Sequence, residues 1–330
     1  MNTLIIGAGI AGLSCATSLQ SLGHNVLVVE KSRGVAGRMS TRRGDDWQCD
    51  HGAQYFTARD PVFAAEVGRW MQAGVAALWS PRISVFGDAD AHHAEAGLLR
   101  YVGCPGMTAP ARYLAENLSV QTRATVSALK PAERGAGWQA MTLEQGLLET
   151  VFDNVLLAVP APQAVPLLSA HHPLLADIAA HTTMRGSWAM MLQFNEPLAV
   201  SFDAGFVNTD PLRWVCRNSS KPGRTGTDTW LLHAAALWSE AHIEDDANDV
   251  AEQLLKAFVD IGGAVPASWT IHRWRYADML APLATGSLWD PSTRIGLCGD
   301  WLHGGKVEGA WLSGKDLADR VSNEQHECAL

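Results

Sequence analysis

Three glycines and one acidic residue stand out near the start of the chain. Gly7, Gly9 and Gly12 follow an apolar run, and Glu30 ends a second apolar run at residues 26–29. With this spacing the first glycine allows a tight turn, the second lets the backbone approach a pyrophosphate, and the third lets helix and strand pack closely. Glu30 lies about 20 residues beyond the glycine motif, which is the spacing of the acid that binds an adenosine ribose. Because a carboxylate would repel a 2′-phosphate, the pattern predicts FAD or NAD rather than NADP.

Two further motifs lie near the other end of the chain. Gly299 and Asp300 follow the apolar run 294–298, and the residues from Val307 to Gly314 are typical of a helix start rich in small side chains. A carboxylate placed after a strand suits a ribityl chain, and the positive end of a helix stabilises an electron-rich ring. Almost the whole chain separates these motifs from the first, which favours the long cofactor FAD.

The composition excludes several classes of function. The chain has 330 residues, a net charge of −9 and 47% hydrophobic residues, enough for two domains. The acidic balance argues against nucleic-acid binding, and the basic residues Arg38, Arg42 and Arg43 are interpreted as ligand-facing or solvated. No uninterrupted apolar stretch of about 18 residues predicts a membrane span. The six cysteines form no CxxC pair, which predicts no metal site, no disulfide framework and a cytoplasmic location.

Hydrophobic periodicity outlines the elements that would position these motifs. Beyond the first βαβ unit, a helix is expected to begin at Asp60-Pro61, and a hairpin is expected to turn at residues 133–137. The other predicted helices cover residues 108–118, 247–261 and 307–321. The predicted strands cover residues 101–103, 124–129, 138–143, 151–159, 187–194, 214–217, 229–235, 269–274 and 294–298.

This order of elements predicts an α/β protein in two parts. We expect a Rossmann-like FAD domain of the glutathione-reductase type with an inserted α+β substrate domain built on a mixed sheet. The FAD domain is assigned to residues 1–60, 97–163 and 292–330, and the substrate domain to residues 61–96 and 164–291. A second dinucleotide fingerprint is absent from the sequence, since Gly262-Gly263 follows a helix. A reducing substrate should therefore meet the flavin directly.

Several motifs together resemble those of a known superfamily. They are the segments Gly7 to Gly12, Glu30 to Met39, Asp50 to Arg59, Asn218 to Pro222 and Val307 to Gly314. In these the chain resembles the flavin-containing amine oxidase superfamily, and within it the bacterial renalases, over essentially its full length. It departs from the superfamily's Arg-x-Gly-Gly-Arg pattern, because the glycines of its 33–38 segment are separated.

The resemblance implies a set of FAD contacts. Arg38 would neutralise the pyrophosphate, Gln54 and Tyr55 would lie beside the isoalloxazine, Val126 would offer backbone hydrogen bonds to adenine, and Asp300 would bind the ribityl or phosphate region. Cys298 lies in a predicted strand, so FAD is expected to bind non-covalently. The predicted cofactor-binding residues are Gly7, Gly9, Ala11, Gly12, Glu30, Lys31, Arg38, Gln54, Tyr55, Val126, Asp300, Val307, Glu308, Gly309 and Ala310.

The same resemblance implies an activity. Renalase-like enzymes would oxidise 2-dihydro or 6-dihydro isomers of β-NAD(P)H to β-NAD(P)⁺, with hydride transfer to flavin N5 and reoxidation by O₂ to H₂O₂. Because removal of that hydride makes the pyridine aromatic, the chemistry requires positioning rather than a base, and no side chain is assigned as a catalyst. The candidate substrate residues are Tyr55, Trp214, Arg217, Asn218, Lys221, His233, Trp274 and Tyr276.

Two alternatives stay open at this stage. A flavin amine oxidase would act on a small amine and needs a lysine whose bound water contacts N5, for which only Lys221 and Lys306 come into consideration. A non-catalytic protein that merely holds FAD is the other alternative. The preferred isomer, the choice between NAD and NADP forms, and the oligomeric state are not determined by the sequence.

Overall fold

A computed structural model describes residues 1–88, 95, 97–133 and 136–327, with side chains described up to residue 323. The predicted turn at 133–137 includes residues 134 and 135, the predicted substrate segment 61–96 includes 89–94 and 96, and the predicted segment 292–330 includes 328–330. These residues lie outside the described part of the chain.

The strands of the described part are, in chain order, β1 (Asn2–Ile6), β2 (Asn25–Glu30), β3 (Thr41–Arg43), β4 (Gln48–Asp50), β5 (Ala76–Leu78), β6 (Ile83–Gly87), β7 (Tyr101–Gly103), β8 (Ser119–Thr122), β9 (Val126–Pro131), β10 (Trp138–Thr142), β11 (Gly146–Leu147), β12 (Asn154–Leu157), β13 (Met184–Phe194), β14 (Ala204–Thr209), β15 (Leu212–Arg217), β16 (Asp228–Ala234), β17 (Ser268–Met279), β18 (Leu288–Asp290) and β19 (Ile295–Leu297).

The α-helices of the same ranges are α1 (Ile10–Ser21), α2 (Pro61–Gln72), α3 (Ala109–Ala115), α4 (Ala161–Leu168), α5 (Pro173–Ala180), α6 (Ala236–Ala241), α7 (Ala247–Asp260) and α8 (Val307–Glu327). Short 3-10 helices cover Asn218–Ser220 and Asp300–Leu302. No helix within the described ranges combines the length and apolar character that a membrane crossing requires.

The first sheet forms the predicted Rossmann-like core. Its strand order is β18-β19-β12-β1-β2-β8, and all pairs are parallel except β18 with β19. Helices α1 and α8 pack on one another through Gly314, where an added Cβ would lie 2.0 Å from the Ala11 carbonyl oxygen. The two ends of the chain are therefore joined at backbone contact in this domain.

The second sheet is mixed, as the sequence predicts. Its order is β17-β13-β16-β15-β14-β6, antiparallel except for the parallel pair β14 and β6. The apolar side of α7, including Val250, Leu254 and Phe258, packs in one buried cluster with Trp230 and Leu232 of β16. Because side chains alternate along a strand, the neighbouring residues of β16 face away from α7. That opposite face is the one that meets the first domain.

Two of the predicted domain boundaries need adjustment. The boundary between residues 163 and 164 falls inside α4, whose Ala161, Ala164 and Leu167 belong to the same buried cluster as Leu4 of β1. The boundary at 291 separates β18 from β19, although the two are hydrogen-bonded in the first sheet. We therefore propose that α4 and β18 belong to the dinucleotide-binding domain.

Candidate flavin and substrate site

A cavity of about 1850 Å³ lies between the two sheets. Gly7, Glu30, Ala158 and Gly299, which line it, lie at the carboxyl ends of β1, β2, β12 and β19. Ligands of open parallel sheets bind at this edge. A typical ligand pocket measures roughly 300–1,000 Å³, so the cavity has room for a dinucleotide cofactor and a second flat ligand.

The glycine turn between β1 and α1 divides into structural and ligand-facing positions. Gly7 has φ +107°, and a Cβ on Gly12 would lie 2.1 Å from the Gly7 carbonyl oxygen, so both keep the turn closed. Gly9 lines the cavity, and a Cβ there would meet nothing within 4 Å. It also precedes the first turn of α1, whose free N–H groups attract phosphate. The turn therefore fits a pyrophosphate passing over Gly9.

The adenosine end of the site is formed around Glu30. This carboxylate is buried and lines the cavity, and it accepts hydrogen bonds from the backbone N–H groups of Ala8 at 2.8 Å and Ser32 at 2.7 Å. Two carboxylate oxygens have about four acceptor positions, so capacity is left for ribose hydroxyls. Val126 lines the same region, and the exposed Lys31 donates to Gln163 at 3.1 Å.

The two ends of the sequence meet in an ion pair on the cavity wall. Arg38 binds Asp300 with two hydrogen bonds, of 2.9 and 2.6 Å, and also donates to the backbone carbonyl of Ala277 at 3.2 Å. Both side chains line the cavity. A bidentate pair has a fixed geometry, so Asp300 orients the guanidinium that is predicted to face the pyrophosphate.

Three predicted cofactor residues are directed elsewhere. Gln54 is buried outside the cavity, and its amide donates to the carbonyls of Asp50 and Gly52 at 2.6 and 3.0 Å. The Glu308 carboxylate instead accepts from the backbone N–H groups that precede α2. Gly309 is a packing position, because its Cβ would lie 1.6 Å from a carbonyl oxygen. The FAD-binding roles predicted for Gln54 and Glu308 therefore stay predictions, and the hydrogen bonds of these side chains go to the protein itself.

The remaining features fit non-covalent FAD. Ala11, Val307 and Ala310 line the cavity as predicted. Cys298 is fully buried and contacts Cys15 in the core, and none of the described cysteines lines the cavity. The open position at Gly9, the buried acid at Glu30 and the helix start at Val307 thus form one continuous binding surface.

Aromatic rings from the second sheet and from Tyr55 line one part of the cavity. Tyr55 lies 5.7 Å from Trp214 between ring centroids, and Trp274 and Tyr276 line the same cavity. Trp274 is fixed by a 2.9 Å hydrogen bond from its indole nitrogen to the His51 carbonyl oxygen. Flat side chains in this arrangement suit a planar ligand.

Three histidines lie beside these rings. The rings of His51 and Trp274 stack at 5.2 Å, and His272 contacts both. Burial, with the neighbouring His272 and Arg42, lowers the pKa of His51 to about 3. Burial also lowers the pKa of His233 to about 4 and reduces that of His272. All three imidazoles are therefore neutral and weakly basic near neutral pH. His51 was not among the predicted site residues, and its only signal in the sequence is its position after Asp50 in the 50–59 motif.

The predicted phosphate-binding group of the 217–221 segment does not line the cavity. Lys221 is buried and donates to Asp50 at 3.1 Å and to Gln54 at 3.2 Å. Asn218 is buried and donates to the Gln48 carbonyl at 2.9 Å. Arg217 contacts the Leu198 carbonyl instead of the cavity. The predicted substrate contacts of Arg217, Asn218 and Lys221 therefore stay predictions that the cavity lining does not support.

A buried acid explains this outcome. Burial alone would raise the pKa of Asp50, but the charges of Lys221 and Arg224 hold it well below its ordinary value. A buried carboxylate requires paired cations. Lys221 and Arg224 meet that requirement, and of the predicted substrate residues Tyr55, Trp214, His233, Trp274 and Tyr276 line the cavity.

Comparisons with known proteins give the family of this chain. Residues 5–66 match the NAD(P)-binding Rossmann-like domain, and residues 71–322 match the flavin containing amine oxidoreductase family. The fold and the site thus define a protein that binds FAD. By the second match, the chain belongs to the flavin containing amine oxidoreductase family.

Individual relatives are more distant. An L-amino-acid oxidase of Siganus canaliculatus is 28% identical over 156 residues, which cover 47% of this chain and only 25% of that relative. Cyclohexylamine oxidase of Brevibacterium oxydans IH-35A has a TM-score of 0.75 at 14% identity, covering 98% of this chain and 99% of the other. Wild-type putrescine oxidase bound to putrescine has a TM-score of 0.74 at 14% identity, covering 97% and 99%. At this identity the two structures show a shared fold.

Proposed function

We propose that this protein is an FAD-dependent oxidase of dihydropyridines, with 2-dihydro or 6-dihydro isomers of β-NAD(P)H as substrates and β-NAD(P)⁺ and H₂O₂ as products. FAD, when bound, supplies the acceptor at N5 for the substrate hydride, and O₂ removes the electron pair as H₂O₂. We further propose that the surface from Gly9 and Glu30 to Val307 holds this cofactor.

The observation that carries the proposal is the chemistry of the substrate wall. It combines flat rings with imidazoles of low pKa, His51 at about 3 and His233 at about 4. Such imidazoles are poor general bases near neutral pH. Loss of hydride from a dihydropyridine leaves an aromatic ring and requires no base, so the side chains need only hold the ring against the acceptor.

Specific side chains would do this positioning. Trp274 and Tyr55 both line the cavity, and the hydrogen bond from Trp274 to the His51 carbonyl keeps the indole in one orientation. Stacking of a base on an aromatic side chain contributes about 1–3 kcal/mol. The same rings exclude water from the reacting carbon.

The amine oxidase alternative is favoured by the family and by the names of the similar structures. It requires a lysine whose bound water contacts flavin N5, and Lys221 is instead buried in its ion pair with Asp50. Lys306 lines the cavity just before α8, so it is the lysine that this alternative would use. Within the described residues, the second sheet contributes no lysine to the cavity. The substrate test below decides between the dihydropyridine and the amine.

The test is anaerobic mixing of the FAD-loaded protein with each substrate class. We expect the 2-dihydro or 6-dihydro isomers to bleach the flavin band near ~450 nm rapidly, and small amines and L-amino acids to leave it unchanged. Fast reduction by amines or amino acids alone would establish the amine oxidase alternative. Stable yellow protein that no donor reduces would support a non-catalytic role.

A pair of tryptophan variants tests the wall itself. Trp274→Leu should raise the Kd for the isomers about 10-fold, because one stacking surface is lost. Trp269 lies on the same strand, outside the cavity, and is partly exposed. Trp269→Leu should therefore leave the Kd unchanged. Equal effects of the two substitutions would place Trp274 outside the substrate contact.

A further inference from the structure

One cavity arginine has an unusual environment. Arg100 is 7% exposed and lines the cavity, with its guanidinium 5.3 Å from the centroid of the Tyr55 ring. Its hydrogen bond within the described residues goes to the Leu98 carbonyl at 3.2 Å, and its Nε has no acceptor. No carboxylate of the described part of the chain lies within 4 Å of it. A buried guanidinium in this state lacks the anion that normally compensates it.

The acids of the cavity do not supply that anion. Glu95 pairs with Arg59, Asp278 pairs with Arg185, and Asp300 pairs with Arg38. Glu30, the other cavity acid of the described residues, accepts two backbone N–H groups.

The other unpaired charges that line the cavity are positive, like that of Arg100. Arg42 and Arg112 also line it without an ion pair among the described residues. A chain with a net charge of −9 therefore presents a cavity whose unpaired charges are positive. Such a surface concentrates anionic ligands and repels cationic ones.

Arg100 lies on the substrate side of the site. Tyr55, which it covers, contacts Trp214 of the second sheet, whereas the pyrophosphate position at Gly9 belongs to the first domain. We propose that Arg100 binds an anionic group of the substrate, a carboxylate or a phosphate. The inference rests on the proposed function only in taking this wall as the substrate site. It excludes simple amines and polyamines as the preferred substrates.

The test uses ligand pairs that differ by one anionic group and are not oxidised. FAD-loaded protein is titrated with nicotinate against nicotinamide, and with nicotinamide mononucleotide against nicotinamide riboside, while the visible flavin spectrum is followed. We expect the anionic member of at least one pair to bind about 10- to 100-fold more tightly, as a charge-assisted contact allows. The pair that responds distinguishes carboxylate from phosphate recognition.

Variants assign the preference to one residue. Arg100→Met should abolish the difference within the responding pair, and Arg100→Lys should restore part of it. Arg273→Met removes another cavity arginine, one already bonded to Glu244 and the Ile243 carbonyl, and should leave the difference intact. If Arg100→Met does not fold, Arg100→Gln is measured in its place.

Three results would overturn the inference: no preference in either pair for the wild-type protein, a preference that survives loss of Arg100, or an equal loss in Arg273→Met. Because none of these ligands donates a hydride, the outcome is independent of whether dihydropyridines reduce the flavin. A failure of the proposed reaction and a failure of this anion site are therefore separate results.

Discussion

Replacing Glu30 by glutamine tests the dinucleotide site at its most informative point. Both oxygens of the carboxylate accept backbone hydrogen bonds, from Ala8 at 2.8 Å and Ser32 at 2.7 Å. A glutamine amide has one oxygen, so one of these N–H groups would face an NH₂ donor. An unsatisfied buried donor costs about 1–3 kcal/mol. The apoprotein of Glu30→Gln should lose about that much free energy of unfolding.

The effect on FAD binding is separate from the effect on stability. Ribose hydroxyls donate to a charged acceptor, and such bonds contribute about 1.5–3 kcal/mol. Losing the charge should raise the Kd for FAD by about 10- to 100-fold. The assay is titration of folded apoprotein with FAD, followed by quenching of flavin fluorescence, with urea unfolding of the apoprotein alongside it.

Glu144 offers a matched control. Its carboxylate also accepts a backbone hydrogen bond, from Thr125 at 2.6 Å, but it is exposed and does not line the cavity. Glu144→Gln should therefore leave the Kd for FAD within about twofold of wild type. If Glu30→Gln lowers stability yet also leaves the Kd within twofold, Glu30 only holds the turn, and the assigned ribose contact is refuted.

Four further predictions concern the same residues and their surroundings. Gly9→Ala should leave apoprotein stability unchanged but raise the Kd for FAD at least about 10-fold, since its Cβ enters open cavity. Gly12→Ala should instead destabilise the fold, because its Cβ would lie 2.1 Å from a carbonyl oxygen; equal stabilities in urea would contradict this distinction. Lys221→Met should cost about 3–5 kcal/mol of unfolding free energy by leaving a buried acid short of one cation, and a loss below about 1 kcal/mol would make the ion pair unimportant. Because the pKa values of His51 and His233 are lowered to about 3 and 4, the unfolded chain binds more protons below its ordinary histidine pKa. Unfolding free energy should fall as pH drops from about 6.5 toward 4, while the flavin reduction rate stays flat between about pH 6 and 8; a rate step in that range would reveal a titrating catalyst.

The strand positions of the second sheet were largely predictable, but its assembly was not. Alternating side chains predicted the strands now seen as β13, β15, β16 and β17. Strands β6 and β14, which pair with one another in parallel, were not among the predicted strands. Pairing between strands so far apart in sequence depends on packing across the domain, and a local sequence pattern carries no information about that packing.

The direction of polar side chains was the least predictable feature. Lys221 and Asn218 lie in a polar loop and have the composition of a phosphate site. Their partners, Asp50 and its neighbours, are about 170 residues away in sequence, with Lys221 and Asp50 separated by 171 positions. The demand of a buried carboxylate for cations becomes visible only when the fold brings them together.

The sequence by itself determined the dinucleotide-binding motif, because all parts of the motif lie within residues 3–30 and act through local geometry. These parts are a strand, a glycine turn, a helix start and Glu30. The tertiary structure decided which of the candidate residues line the cavity. It buried Lys221 against Asp50, kept the imidazoles neutral, and left Arg100 facing the cavity without an acid among the described residues. Charge compensation in a buried site depends on contacts between distant segments, and only the folded chain contains them.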